Sequence, residues 1–363
     1  MADWEKYVDV CCGGNSKHKC AIKLDEVYCD GYLEDKKIGA ISHFHSDHIS
    51  AIEDCLRKYD AIVTHPTTLR AIGAIDSGWP RCEQWTALEY DTLDTTGSLY
   101  RTYSSEVRLL KANHIPGSSQ VHVITNGISL LYSGDFSYPF APIREADYLV
   151  LDATHGDPSV DGKTDRKSVL NRMFEDVKEK IDKGKSVMIT TDAGTLQEII
   201  KHFEMYEGDE PKLSHDIPFV ARKNQIKILN EIYKEEKNEF REIMDFGDRE
   251  FWTKVHRRNK PCVVFLVDRI IPEELDNYYR IITGRYQFRQ EDPPIIHHKT
   301  NTSHYNLASH ASLEGVLKYV EDVNPKVVIT DASRSEQAKS LAKIIELKFD
   351  KVRAYPRGGS CLE

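Results

Sequence analysis

The chain has 363 residues, which suggests two domains at about 150 residues per domain. Hydrophobic residues make up 40% of the sequence and charged residues 29%, a composition typical of a globular protein rather than a disordered or fibrous one. The longest unbroken apolar run is six residues, whereas a membrane-spanning helix needs about 18. The net charge of −9 argues against nonspecific coating of DNA or anionic membranes, but it does not exclude a nuclease with a local basic groove.

The first residues lack the basic and apolar regions of a secretory signal, so we expect a cytoplasmic protein. The eight cysteines are too sparse for a disulfide framework. Four of them lie near the N-terminus without the paired C-x-x-C spacing of a thiolate metal site, so we expect buried apolar thiols. These four are Cys11, Cys12, Cys20 and Cys29.

Strand and helix patterns alternate along most of the chain, which predicts an α/β layered fold. Asn126-Gly127 lies between two strand-like segments and predicts a tight hairpin, so the sheet should be mixed. Strands are predicted at 37–42, 61–65, 106–112, 120–125, 128–132, 148–151, 186–191, 217–221, 326–330 and 351–355. Helices are predicted at 49–59, from Thr67, and at 166–183, 222–244, 313–323 and 335–347.

Candidate metal ligands are concentrated at residues 43–48, His-Phe-His-Ser-Asp-His, where a predicted strand passes into a helix. By the period of two, His43 and His45 point toward one position, while Asp47 and His48 lie on the following turn and can reach a second position nearby. Neutral imidazoles and carboxylates suit Zn²⁺. The segment therefore predicts a metal centre, and the alternative is a polar loop that caps the helix.

This H-x-H-x-D-H segment resembles the signature of the metallo-β-lactamase superfamily, a di-metal hydrolase fold with an αββα sandwich. The segment 112–118 is similar to the third motif of the family, and the resemblance implies that His114 is a metal ligand. The segment 131–136 is similar to the fourth motif, which makes Asp135 the carboxylate that bridges both metals.

The long interval after Asp135 resembles one branch of that superfamily. The next match, at His310, lies 175 positions further on, and the stretch between resembles the β-CASP insertion of RNA 3′-end-processing and DNA cross-link-repair nucleases. The segment 148–156 is similar to motif A of that branch, with Asp152 as the acidic residue, although His155 stands where Tyr is usual. His310 then fits motif B.

The resemblance implies a metallo-β-lactamase αββα sandwich with an inserted β-CASP-like α/β cap domain. We expect the sandwich to be built from both ends of the chain. The expected ranges are 1–156 and 296–363 for the sandwich and 157–295 for the inserted domain.

Motif C is where the sequence departs from the branch. RNA-processing members carry a histidine after the next strand and DNA-repair members often carry valine, but the alignment places Asp331 there. A carboxylate can ligate Zn²⁺ or Mn²⁺, so a second metal site remains open to this chain, with altered affinity. The alternative is that Asp331 caps the following helix or begins a turn.

The resemblance implies metal-assisted hydrolysis of phosphodiester bonds in RNA or DNA. Two ions about 3.5–4 Å apart lower the pKa of a shared water and clamp the phosphate oxygens. His310, held and charged by Asp152, is the expected general acid for the leaving oxygen. The expected Zn²⁺ ligands are His43, His45 and His114 for one ion and Asp47, His48 and Asp331 for a weaker ion that is Zn²⁺ or Mn²⁺, with Asp135 between them. The expected catalytic residues are His310, Asp152 and Asp47.

The nucleic-acid substrate should contact basic residues of the insertion. These residues lie beside Phe251, Trp252, Tyr286 and Phe288, a pattern that suits phosphate contact with base stacking. The alternative is a solvated charged face. The candidate contacts are Arg257, Arg258, Lys260 and Arg285.

Two other functions remain open. One is a metallo-β-lactamase-fold hydrolase of a small ester, thioester or lactone, and the other is a non-catalytic nucleic-acid-binding paralogue. We expect no membrane partner. The sequence leaves the oligomeric state, the polarity of cleavage and the choice between RNA and DNA undecided.

Overall fold

The computed structural model describes residues 3–12, 20–34, 36–91, 98–139, 142–158, 165–206, 212–236, 239–267, 272–283, 288–289 and 292–358. The chain divides into two compact units. Unit 1 comprises residues 1–161 and 309–363, and unit 2 comprises residues 162–308. In the part of the chain that the structure describes, helices are combined with three β-sheets, which confirms the predicted α/β class.

The strands in chain order are β1 (Val8–Cys11), β2 (Ala21–Leu24), β3 (Val27–Cys29), β4 (Ile38–Ile41), β5 (Ala61–Thr64), β6 (Trp85–Ala87), β7 (Tyr100–Arg101), β8 (Ser105–Lys111), β9 (Ser119–Thr125), β10 (Ile128–Tyr132), β11 (Tyr148–Leu151), β12 (Val187–Thr190), β13 (Phe219–Ala221), β14 (Ile243–Asp245), β15 (Val263–Leu266), β16 (Tyr279–Thr283), β17 (Ile295–His298), β18 (Thr302–Tyr305), β19 (Val327–Asp331) and β20 (Arg353–Arg357). The α-helices are α1 (Ile52–Lys58), α2 (Pro66–Ile75), α3 (Arg166–Asp182), α4 (Thr195–Glu204), α5 (Lys223–Ile232), α6 (Leu313–Val323) and α7 (Ala338–Lys348). Among the described residues, none of these helices has both the length and the apolar character needed to cross a membrane.

Unit 1 contains two sheets, with strand orders β1-β2-β3-β4-β5-β6 and β20-β19-β11-β10-β9-β8-β7. One apolar cluster joins them, since Leu24 and Val27 of the first sheet belong to the same cluster as Val123 and Ile329 of the second. The other face of the second sheet packs against α6 and α7. The second sheet can pack on both faces because successive side chains along each strand point to opposite faces.

The predicted hairpin is present between β9 and β10. Thr125 pairs with Ile128, so only Asn126 and Gly127 form the connection. Both residues have positive φ, at 49° and 75°. A two-residue turn with these angles matches the twist of the flanking strands, which is why the Asn-Gly signal was informative.

Unit 2 contains one seven-stranded sheet in the order β14-β13-β15-β12-β16-β18-β17. All its described pairings are parallel except β17 with β18. The sheet packs one face against α3 and α4 in a large apolar cluster. The buried strands β12 and β13 are followed by the helices α4 and α5, which supply the crossovers that parallel pairing requires.

The prediction of a long helix over 222–244 was wrong beyond Ile232. The helix α5 stops there, and Ile243 begins β14. Arg241, in the charged stretch between them, is buried and binds the Glu204 carboxylate and the Leu213 carbonyl. These tertiary contacts outweigh the helix propensity of the charged residues around them.

The expectation of free thiols was wrong for two of the four N-terminal cysteines. Cys12 and Cys20 form a disulfide. Cys29 is buried and free, as expected, while Cys11 is free and half-buried. The positions of the cysteines along the sequence did not indicate this disulfide, because Cys12 and Cys20 come together only when β1 pairs with β2 in the folded sheet.

Candidate metal centre and active site

The candidate ligands lie at strand ends that the two sheets of unit 1 bring to one edge. His43 follows β4, and His114, Asp135 and Asp152 follow β8, β10 and β11. The strands β8 and β10 are both antiparallel to β9, and β11 is parallel to β10, so these three run in the same direction. Their carboxyl ends therefore meet at one edge, where side chains from distant parts of the sequence converge.

The carboxylate of Asp135 lies at the centre of the histidines. Its Oδ2 atom is 3.6 Å from His43 Nε2, 3.6 Å from His114 Nε2 and 3.4 Å from His48 Nε2. His45 Nδ1 lies 3.1 Å from His114 Nε2. One ligand atom each from His43, His45, His114 and Asp135 therefore falls within 4.8 Å of the others, which is the spacing of a group that could hold a metal ion.

The buried nitrogen atoms of this group fit a divalent cation. Among the described atoms, Nε2 of His43 and Nε2 of His48 are buried without a hydrogen-bond partner, and a buried unsatisfied group costs about 1–3 kcal/mol. Burial, together with neighbouring histidines, holds the pKa of His43 and of His114 well below its usual value. Both imidazoles are therefore neutral, which is the form that binds a metal.

A second pair of ligand atoms lies on the other side of Asp135. His48 Nε2 is 3.4 Å from Asp47 Oδ2, and the Asp47 carboxylate is partly exposed. Burial alone would lower the pKa of His48, but the carboxylates of Asp135 and Asp30 raise it to about 10. Without a metal the ring is therefore protonated, and a second cation among Asp47, His48 and Asp135 would have to displace the proton on Nε2.

Asp30 is a further candidate site residue, which was not predicted from the sequence. It follows β3 and is fully buried, and its Oδ2 atom accepts a hydrogen bond of 2.8 Å from His48 Nδ1. Its carboxylate also accepts hydrogen bonds from the Ser42 amide and hydroxyl and from the Tyr132 hydroxyl. These contacts fix the ring of His48 and direct Nε2 toward Asp135, as a carboxylate behind a metal-binding histidine does.

The structure brings His310 and Asp152 together. His310 Nδ1 donates to Asp152 Oδ2 at 2.7 Å, and His310 Nε2 lies 3.8 Å from Asp135 Oδ2. The other oxygen of Asp152 accepts from the amide and hydroxyl of Thr154. Burial alone would lower the pKa of His310, but the Asp152 and Asp135 carboxylates raise it to about 9. Without a bound metal the imidazole is therefore charged at neutral pH, and it directs one N–H toward Asp135.

Asp331 lies at the end of β19, but its carboxylate binds residues of its own turn. Oδ1 accepts from the Ser333 amide and hydroxyl, and Oδ2 accepts from Arg334 Nη1 at 2.9 Å. Among the described residues, two groups have ligand atoms close enough to hold a metal ion, and Asp331 belongs to neither: one is His43, His45, His114 and Asp135, and the other is Asp135, Asp152 and His310. The assignment of Asp331 as a ligand stays a prediction, and the contacts favour the alternative of a turn residue.

The basic candidates belong to unit 2. Arg257, Arg258 and Lys260 are exposed, in and just after a 3₁₀ turn over His256–Arg258, whereas Arg285 and Tyr286 lie outside the described residues. The expectation of base stacking was wrong for two aromatic side chains. Phe251 and Phe288 are both buried and unable to present a ring face to a base.

No family model matches the chain. Among curated proteins, an RNase J-like protein of Methanocaldococcus jannaschii is 30% identical over 187 residues, which cover 46% of this chain and 44% of that protein. Cleavage and polyadenylation specificity factor subunit 3 of Dictyostelium discoideum is 24% identical over 234 residues, which cover 56% of this chain and 30% of that protein. The resemblance to β-CASP metallo-β-lactamases is confirmed. The chain spans less than half the length of these two relatives.

One solved structure shares the fold over most of its length. The crystal structure of a protein of unknown function from Enterococcus faecalis V583 superposes with a TM-score of 0.55 at 11% sequence identity. The superposition covers 89% of this chain and 93% of that chain. At this identity the likeness concerns the fold alone.

Proposed function

We propose that this chain is a metal-dependent nuclease that hydrolyses phosphodiester bonds of RNA at a two-ion centre, with Zn²⁺ as the principal metal. The hydrogen-bonded pair of His310 and Asp152, 3.8 Å from Asp135, is the observation that carries the proposal. A metal centre alone is compatible with many kinds of hydrolysis. A protonated histidine beside it indicates a reaction in which the leaving oxygen must receive a proton, as in phosphodiester cleavage. RNA is favoured over DNA because one curated relative is named an RNase J-like protein and the other a cleavage and polyadenylation specificity factor subunit.

We also propose that unit 1 is the αββα sandwich and unit 2 the inserted β-CASP-like domain. The contiguous range of unit 2, residues 162–308, supports this assignment because it falls between Asp152 and His310. The exposed Arg257, Arg258 and Lys260 would then contact phosphates of the RNA.

The roles of the residues follow from their contacts. His43, His45 and His114 would hold one ion and Asp47 and His48 the other, with Asp135 between them. When bound, the ions supply a water of lowered pKa and positive charge for the phosphate oxygens. His310 donates the proton on Nε2 to the leaving oxygen, and Asp152 keeps that ring oriented and charged.

Digestion of matched substrates tests the proposal. End-labelled RNA and DNA of one sequence, single- and double-stranded, are incubated with the metal-loaded chain beside a panel of small esters, thioesters and lactones. We expect RNA cleavage that stops on chelation and is lost in His310→Ala. The matched control is His215→Ala, which removes an exposed histidine of unit 2 and should cleave at the wild-type rate. Hydrolysis of the small substrates without cleavage of RNA would refute the proposal.

A further inference from the structure

A buried ion pair lies behind the candidate second cation position. The Asp331 and Arg334 side chains are 4% and 9% exposed, and Arg334 Nη1 donates to Asp331 Oδ2 at 2.9 Å. An ion pair this well buried is costly to form unless its remaining donors and acceptors are also satisfied. Among the described atoms, Arg334 Nε is buried without a hydrogen-bond partner, so the satisfied donors are those on the two Nη atoms, and their contacts indicate what the pair holds in place.

The guanidinium of Arg334 joins the C-terminal part of unit 1 to Asp30. Arg334 Nη2 donates to the Asp30 backbone carbonyl at 2.7 Å, across 304 residues of sequence. Asp30 has a φ of 52°, a left-handed conformation that is uncommon for a residue with a side chain. The hydrogen bond thus holds the backbone of the residue whose carboxylate binds His48 Nδ1.

We propose that Arg334, anchored by Asp331, is a positioning residue for the cation site of Asp47 and His48, and that Asp331 acts through Arg334 rather than as a metal ligand. The inference rests on the proposed metal centre. The Asp331 carboxylate already accepts three hydrogen bonds and one of them is charged, so turning it toward a cation would leave Arg334 buried and unpaired.

The geometry requires an arginine. Two different nitrogens of one planar guanidinium reach the Asp331 carboxylate and the Asp30 carbonyl at once, and a lysine ammonium on a flexible stem does not reproduce this fork. Loss of a group that orients a metal ligand typically weakens metal binding by about 10- to 100-fold. Asp30 contacts His48 directly, whereas it reaches His43 only indirectly, through the Ser42 hydroxyl, which lies 3.0 Å from His43 Nδ1. The larger effect should therefore fall on the ion of Asp47 and His48.

Metal binding by five variants tests the inference without relying on activity. The variants are Arg334→Met, Arg334→Lys, Asp331→Asn, the double variant of Arg334→Met with Asp331→Asn, and a control, Arg241→Met. The control removes the arginine of another buried ion pair, with Glu204 in unit 2. Each folded protein is checked by circular dichroism and loaded with Zn²⁺, and its metal content is then measured by elemental analysis during titration with a chelator. Absorption of the Co²⁺-loaded proteins reports the coordination of each ion.

We expect both single changes at Arg334 and Asp331→Asn to weaken one ion by about 10- to 100-fold while the other is retained. The double variant should bind metal no more weakly than either Arg334→Met or Asp331→Asn. The Arg241→Met control should lose stability but keep both affinities.

Two results would overturn the inference. One is wild-type affinity for both ions in Arg334→Met with loss of one ion in Asp331→Asn, which would make Asp331 a ligand. The other is a wild-type chain that holds a single ion at metal excess. A wild-type chain that binds two ions but cleaves no RNA would refute the proposed function and leave this inference unaffected.

Discussion

Replacing Asp152 by asparagine tests the role of the His310–Asp152 pair, because it removes one charge while keeping the size of the side chain. One Asp152 oxygen accepts from the amide and hydroxyl of Thr154, so that oxygen keeps its place. The new NH₂ group then faces His310 Nδ1, where an oxygen accepted before. This contact disfavours the charged imidazole and favours the neutral form that carries its proton on Nε2.

The size of the effect follows from the pKa of His310. The carboxylate of Asp152 contributes to raising this pKa from 6.5 to about 9, so the substitution should lower it toward the ordinary value. At pH 8 a pKa of about 9 leaves about 90% of the imidazole protonated, and a pKa of 6.5 leaves about 3%. If His310 is the general acid, kcat in Asp152→Asn should fall by up to about 30-fold from this cause alone.

The assay is the pH dependence of kcat on end-labelled RNA at saturating metal. A raised acid pKa keeps the active, protonated form present as pH rises until the pH passes that pKa. The alkaline limb should therefore move to lower pH in Asp152→Asn. Asp157→Asn, which removes a nearby carboxylate bonded to Ser340, is the matched control and should leave the profile unchanged. An alkaline limb that does not move in Asp152→Asn, at unchanged metal content, would refute His310 as the acid.

Three further outcomes are expected. His310→Ala should reduce turnover by about 10²- to 10⁴-fold with metal content unchanged, and metal loss measured by elemental analysis would instead make His310 a ligand. Replacing both Arg257 and Arg258 by alanine should weaken RNA binding and flatten its salt dependence by roughly 0.7–0.9 per lost phosphate contact, and an unchanged slope in binding titrations would leave a solvated face. Removal of metal by a chelator should lower the melting temperature measured by circular dichroism, because His43 Nε2 and His48 Nε2 are buried, and added Zn²⁺ should restore it.

The site could be predicted from the sequence where ligands are dense or fall in a recognisable order. Three histidines and an aspartate within six residues have few explanations other than metal binding, and the geometry brings the nitrogens of His43, His45 and His114 around Asp135. The hairpin at Asn126-Gly127 was equally accessible because its turn chemistry is local.

Residues that act through tertiary contacts left no local signal. Asp30 follows a short strand like many solvent-exposed aspartates, and only the fold places its carboxylate beside His48. Arg334 resembles an ordinary charged residue before a helix, yet it is buried against a backbone carbonyl 304 positions away. Burial of Phe251 likewise depends on packing that a basic run in the sequence does not report.

The order of strands in the second sheet of unit 1 has a consequence for synthesis on the ribosome. The strand β11 pairs with β19, whose first residue, Val327, is 176 positions after the end of β11 at Leu151. At a synthesis rate of about 5–20 residues per second, β19 is made roughly 10–35 s after β11. During this time the backbone N–H and C=O groups on one side of the apolar strand β11 have no partner strand. Unit 2 is contiguous and emerges in the interval, so it can complete its own sheet before unit 1 does. The nascent first part of unit 1 is therefore exposed to misassociation during that interval, and His310, 159 positions after Leu151, can join Asp152 only toward its end.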